Sequence, residues 1–362
     1  MNDQNDSPSQ DFLKECIDAI TNRDFKELVY TEKEDPQRVS QAFEHAAETL
    51  IPEDLPDRAT VDEIMSKMAD AVSSGGTAEF PSWYLPVSIA SAIASMDQKA
   101  SEKARQIPVA MSYSGLLNAV TLKSPSGRPV VMFDLGATYL VEYLVIAVLG
   151  SIPRGSSPER PRPCTHNAIA VVHNAIKFLL TRDVRFFAFA ALHAGEVVRE
   201  LEQEGEIISA RLMAGGAEQF VVLHEFGHAI LGHLDRARLL QLNMRGVDVN
   251  AMMGHHEIEH EADIFASEQS REDPNFWLGC AMLFPILAQA EKLEGAPLAQ
   301  THPTWNVRWR KLEPYVPSSL AHLVHFLSGH AYRLCSVQEG MAEQIPEVLE
   351  ATPEEVARQL FD

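Results

Sequence analysis

Two histidines and a glutamate stand at a spacing that can hold a metal ion. His224 and His228 bracket Glu225 in the run Val221-Val222-Leu223-His224-Glu225-Phe226-Gly227-His228-Ala229-Ile230-Leu231-Gly232-His233. On a helix of 3.6 residues per turn, positions four apart lie roughly 40° from each other on one face. Two imidazoles so placed can grip one divalent ion, and an acid beside them can take a proton from a water polarised by it. The apolar run from Phe220 to Leu223 suits a helix buried on several sides. Gly227 and Gly232 would each cost about 1 kcal/mol in a helix interior, so they point to close packing or to access at the metal. HExxH alone also fits an amphipathic helix with its histidines and acid on the surface. The reading therefore depends on a third ligand further along the chain.

A second helical pattern follows at Glu257-Ile258-Glu259-His260-Glu261-Ala262-Asp263-Ile264-Phe265-Ala266. Ile258, Ala262, Phe265 and Ala266 form an apolar stripe, with Glu259 and Asp263 one turn apart beside it. Zinc accepts a carboxylate oxygen as readily as a third imidazole. Asp263 could then receive the free N–H of a ligand histidine and fix its tautomer. Glu257 and Glu261 lie roughly 200° from Glu259 and face solvent if Glu259 faces in; a wholly exposed charged face is the alternative. The HExxHxxGxxH arrangement is excluded, because Leu231 and Leu234 stand where it needs glycine and histidine. His233, roughly 140° around the helix from His228, is not expected to ligate the same ion.

These helices need a frame. Residues 117–122 and 129–134 are β-rich runs around the turn Ser124-Pro125-Ser126-Gly127, which reads as a hairpin. It is either plain sheet or the strand pair flanking a peptidase cleft, whose edge can take a peptide by strand addition. The apolar stretch 137–150 is interrupted by Glu142 and falls short of the roughly 20 residues that span a bilayer, so it reads as a buried core helix. Helices are expected at 165–180 and 186–202, and helical patterns at 11–71 and 87–98, with a loop at 73–77. His166 and His173, with no acid between them, read as structural. Residues 1–10 read as a frayed tail, 152–163 as a surface loop, and 253–256 as a break after the HExxH helix.

The composition narrows the function. A net charge of -21 and a pI near 5.1 repel phosphate backbones and anionic lipids, against nucleic-acid and membrane-surface binding. The four cysteines, Cys16, Cys164, Cys280 and Cys335, are scattered and form no CxxC, which points to a reducing compartment and away from a cysteine zinc site. The acidic, polar first residues lack signal-peptide features. A cytoplasmic protein without a membrane span is expected.

Further on, Thr301-His302-Pro303-Thr304-Trp305-Asn306-Val307-Arg308 reads as a helix start at Thr301 and Pro303. It is either an ordinary cap with Arg308 on the surface, or a segment that brings His302 to the cleft as an oxyanion donor. Taken in order, HEFGHAILGH (224–233), EHEAD (259–263) and THPTWNVR (301–308) resemble the gluzincin peptidases of the HtpX and CaaX prenyl protease family. Those proteins carry HExGHxxxGH, ExxAD and THPxxxxR. Asn118-Ala119 also looks like that family's Asn-Ala motif. The resemblance covers about residues 218–312, and the first 110 residues match nothing familiar. It implies zinc on His224, His228 and Glu259, with Glu225 as general base. It also implies Asp263 behind the ligands, and His302 and Arg308 as supports of the site. Two departures stand out: that family is mostly membrane-embedded, and here a longer connection separates the hairpin from the HExxH helix. Membrane or prenylated substrates are therefore not carried over. Soluble regulatory peptidases of the ImmA/IrrE type are a second likeness.

The expected fold is α+β and mostly helical, a zincin-like core with a small sheet above two metal-bearing helices. Expected divisions are an N-terminal helical region (1–110), the peptidase core (111–335) and a C-terminal helix (336–362). The expected function is that of a soluble zinc metalloendopeptidase acting on protein or peptide. The alternatives are a latent protease switched on by a partner protein in a stress or defence pathway, and a non-catalytic interaction protein stabilised by zinc.

Overall fold

Short β-rich runs build the sheet, its strand β3 being apolar on both faces, and near-continuous apolar runs build the helices packed against it. The structure, a computed structural model, describes Phe12 and residues 14–16, 84–112, 119–152, 165–236, 239–244, 247–252, 256–294 and 303–341. In chain order these form α1 (Tyr84–Ser95), α2 (Gln98–Ala104), β1 (Val109–Ser112), β2 (Ala119–Lys123), β3 (Pro129–Asp134) and α3 (Leu135–Ser151). There follow α4 (Thr165–Thr181), α5 (Val184–Gln203), α6 (Ile207–Ile230), the single turn α7 (His233–Arg236), β4 (Leu239–Met244) and β5 (Val247–Met252). Last come α8 (His256–Gln269), α9 (Pro274–Glu294), α10 (Trp305–Leu312) and α11 (Ala321–Met341). Among the described residues the chain is thus mostly helical with one small sheet, as its patterns predict. The patterns at 17–71, the loops at 73–77 and 153–163, and residues 1–10 lie outside the described residues.

The sheet runs β1-β3-β2-β5-β4, with β1 parallel to β3 and the other pairs antiparallel. The predicted hairpin is β2–β3, closed by Gly127 at φ 85°, a left-handed conformation that glycine adopts without a Cβ clash. Successive side chains of β3 point to opposite faces. Val131 and Phe133 enter the helical core, while Val130 and Met132 join Leu122, Phe12 and Cys16 on the other face. The β4–β5 hairpin is not anticipated by the reading above. It pairs with β2 at Leu122↔Ala251 and Lys123↔Asn250, so the sheet edges are β1 and β4 and the predicted hairpin is interior there. Among the described residues, β5 reaches no further along β2, and Ala119–Thr121 lack a strand on that side.

α3 follows β3 directly. Asp134 caps it, accepting from the Gly136 N–H at 3.0 Å, and Leu144, Val145, Ile146, Ala147 and Val148 are all buried. This is the expected core helix, and no helix among the described residues is long and apolar enough to cross a membrane. α6 crosses α9 at glycine contacts. A Cβ on Gly216 would sit 2.2 Å from the Asn275 backbone, and one on Gly279 2.2 Å from the Met213 carbonyl. α1, α2 and the Met96 between them contribute Ala92, Met96, Ala100 and Ala104 to the same core as the helices after residue 110. α11 runs unbroken through the division expected at 335/336.

One buried acid on α6 has no counter-charge at hydrogen-bond distance. Glu218 is 5% exposed; its Oε2 accepts from Ser88 of α1 at 3.2 Å and its Oε1 has no partner. Burial first, and the nearby Glu142 charge second, push its pKa well above the usual carboxylate range. The folded state therefore prefers the protonated acid. Its contribution to stability is intact below the unfolded pKa of about 4.3 and is lost as pH rises towards the folded value. Glu218→Gln, neutral at every pH, is expected to melt higher than wild type at pH 8, by about 2–4 °C for each kcal/mol regained. The advantage should vanish near pH 4. Parallel melting curves at the two pH values check this, and an equal shift at both contradicts it.

Candidate metal centre

The last two turns of α6 and the first turns of α8 meet face to face. Gly227 allows the approach: a Cβ there would lie 3.1 Å from a Phe265 ring carbon and 3.3 Å from the Ala262 Cα. Close packing at Gly227 is what the sequence suggests. Gly232 differs, because α6 stops at Ile230. Gly232 lies beyond the helix at φ 71° with nothing crowding it, and turns the chain into α7.

His224, His228 and Glu259 converge at this crossing, all buried, with one donor atom from each lying within 4.8 Å of the others. The two Nε2 atoms are 3.0 Å apart. Glu259 places Oε2 3.4 Å from His224 Nε2 and Oε1 3.6 Å from His228 Nε2. Nitrogen and oxygen ligands about 2.0–2.1 Å from a tetrahedral zinc ion are themselves roughly 3.3 Å apart, so this group fits one divalent ion. The electrostatics agree. Burial and the Arg308 charge oppose protonation of His224, yet hydrogen bonds to Asp263 and Glu259 hold its pKa up at about 9. Burial works against Glu259 as an anion too, but the hydrogen bond to His224 and the His224 charge keep it ionised, well below the usual carboxylate range. His228 is held neutral well below its usual pKa, by burial first and by the His224 charge second.

Behind the three converging side chains stands a buried ion pair. Asp263 Oδ1 accepts from His224 Nδ1 at 2.9 Å. Arg308 of α10 clamps the same carboxylate with Nε to Oδ2 at 2.9 Å and Nη2 to Oδ1 at 2.5 Å. Its guanidinium lies 4.2 Å over the Trp305 ring and 5.8 Å from that of Phe220. Burial alone would raise the Asp263 pKa, but the Arg308 charge and the hydrogen bonds from His224 and Arg308 lower it. The structure thus brings Asp263 and Arg308 together with His224; of the two readings of Arg308, a surface residue or a support of the site, the buried one holds. The helix start differs: Thr304, not Thr301 or Pro303, caps α10, accepting from the Val307 N–H. His302, Thr301 and Asn118 lie outside the described residues.

Glu225 is 8% exposed. Its Oε2 lies 2.7 Å from the Thr121 hydroxyl of β2, which is also 2.9 Å from the Glu225 carbonyl oxygen. Burial raises its pKa, and the charge on His224 and the Thr121 hydrogen bond oppose the rise. Thr121 was not legible as a site residue. It stands 104 positions from Glu225, and only the strand's period, which points Thr121 at α6 while Leu122 faces away, hints at it.

His233 has a place the helix wheel does not show. It is 0% exposed, and its Nδ1 lies 2.8 Å from His228 Nδ1. Its Nε2 lies 3.1 Å from Glu261 Oε2, and Arg236 grips that carboxylate at 2.6 and 2.9 Å. Glu257 is exposed, as expected. Glu261 is 41% exposed, yet its carboxylate is engaged; the Arg236 hydrogen bond and then the one from His233 hold its pKa down at about 2. No protein-family model, curated protein or solved structure matches the chain.

Proposed function

We propose that the protein is a zinc-dependent metalloendopeptidase with a zincin-like core of the gluzincin type. The observation that carries the reading is the convergence of His224, His228 and Glu259 with a second buried acid, Glu225, beside the first ligand. Bound zinc supplies Lewis acidity, polarising a water and the scissile carbonyl at neutral pH. Glu225 takes the proton from the attacking water as the C–O bond forms, and delivers it to the amine as the C–N bond breaks. Thr121 donates to Oε2 and fixes the carboxylate's rotamer. Asp263, held by Arg308, fixes His224 with Nε2 turned towards Glu259. Among the described residues Ala119–Thr121 of β2 have no strand partner on the β5 side, and an extended peptide would add there as a strand. His302 is kept as the oxyanion donor on the strength of the sequence resemblance alone.

Among the described residues three ligands converge, and three leave an open coordination position, whereas a structural zinc site is closed by four. That count supports an enzyme over a zinc-stabilised interaction protein. The test is metal analysis with hydrolysis of unfolded casein, with and without a chelator. Wild type is expected to carry about one zinc per chain and His228→Ala far less, since one of three ligands is gone. Full occupancy in His228→Ala would sink the assignment. Zinc without hydrolysis would favour the latent protease that needs a partner.

A further inference from the structure

The two histidines of the proposed site are braced by different devices, and only one of them reaches the surface. His224 leans on Asp263 and Arg308, whose side chains are 1% and 7% exposed. His228 leans on His233, and through it on Glu261 and Arg236, whose side chains are 41% and 51% exposed.

The proton positions along this second chain follow from the contacts. Only one hydrogen can lie between His228 Nδ1 and His233 Nδ1 at 2.8 Å. A metal ligand must present a lone pair, so a His228 that ligates through Nε2 carries its proton on Nδ1 and donates it. His233 then accepts on Nδ1 and keeps its own proton on Nε2. That atom lies 3.1 Å from Glu261 Oε2, an ionised carboxylate that can only accept. The reverse tautomer would set the His233 lone pair against the Glu261 charge and leave His228 protonated where the ion must bind. The Arg236 fork, three residues after His233 on the same turn, holds the carboxylate in line. Gly232 at φ 71° makes the geometry reachable, by turning the chain at the end of α6 so that His233 returns to the far side of the His228 ring.

We infer that His233 is the positioning residue of the His228 ligand, held in one tautomer by Glu261 and Arg236, so that the metal affinity of the buried site depends on an ion pair at the surface. The inference rests on the metal-site reading above and adds a part to it that neither ligand spacing nor helix angle reveals. It involves neither Glu225 nor the substrate cleft, so it can be tested without a substrate.

The experiment titrates apo wild type, His233→Leu, His233→Asn and Glu261→Ala with zinc against a chromophoric chelator, and records the visible spectrum of each cobalt(II) form. His233→Leu removes the acceptor and is expected to weaken zinc binding by about 10–100-fold, with shifted cobalt bands. His233→Asn returns an acceptor oxygen near the Nδ1 position and should recover most of the affinity and the wild-type bands. Glu261→Ala, a surface change that spares the core, should fall between wild type and His233→Leu. His233→Leu binding like wild type overturns the inference, as does His233→Asn as weak as His233→Leu, which would make the loss one of packing. Should His233→Leu fail to fold, the Glu261→Ala titration decides alone, and an unchanged affinity and spectrum overturn the inference. Wild type that takes up neither metal overturns the metal-site reading itself, a failure visible in the unmutated sample.

Discussion

Glu225→Gln is expected to keep its fold and its zinc while peptide hydrolysis falls on the order of 10²–10⁴-fold, the usual contribution of a positioned general base. Glutamine has nearly the volume and shape of glutamate, and its carbonyl oxygen can accept the Thr121 hydrogen bond that Oε2 now receives at 2.7 Å. Glu225 is not one of the three converging donors, so the metal should be retained. What the amide cannot do is take a proton from water. Metal analysis of the purified variant, with single-turnover hydrolysis of a peptide library, separates the two effects. Wild-type rates in a variant with full zinc would remove Glu225 from the mechanism. Lost zinc would instead mean that its carboxylate takes part in holding the ion.

How much of this was readable beforehand depends on the range of the interactions. The HExxH pair and the Glu259–Asp263 pair are local, one helical turn each, and their geometry follows from 3.6 residues per turn. The β2–β3 hairpin is local too, and its turn carries a glycine that needs a positive φ. The β4–β5 hairpin was also written in the chain, as alternation through residues 239–244 and 247–252 around Arg245-Gly246, and went unread beside the stronger helical motif. His233 was set aside as a ligand by a helix angle, and among the described residues it does not join the converging group. The angle nonetheless assumed a helix that continues, whereas α6 ends at Ile230. Glu261 on the solvent side was likewise half the answer, because an exposed carboxylate can still hold a buried imidazole through one oxygen. The Thr121–Glu225 contact depends on how α6 lies against the sheet, which no local pattern encodes.

Arg308→Ala is expected to cost about 3–5 kcal/mol, the usual penalty for breaking a buried ion pair from one side. The arginine is 6% exposed, and its fork meets an Asp263 that is 1% exposed, so its removal leaves a carboxylate with neither water nor a counter-ion beyond His224. More than charge is lost. The guanidinium ties α10 to α8 and stacks 4.2 Å over Trp305, whose own backbone N–H donates to Glu291 of α9 at 3.0 Å. Lysine should rescue little, since one ammonium cannot span both Asp263 oxygens. The pH dependence carries the signature of the pair. The folded Asp263 pKa lies below its usual value, so the pair contributes stability above the unfolded pKa of about 3.9 and loses it as pH falls through the folded value. The gap in melting temperature between wild type and Arg308→Ala should therefore be widest near neutrality and narrow in acid. A double-mutant cycle with Asp263→Asn isolates the pairwise part. Additive losses, or a gap unchanged between pH 7 and pH 3, would mean that Arg308 acts through packing on Trp305 alone.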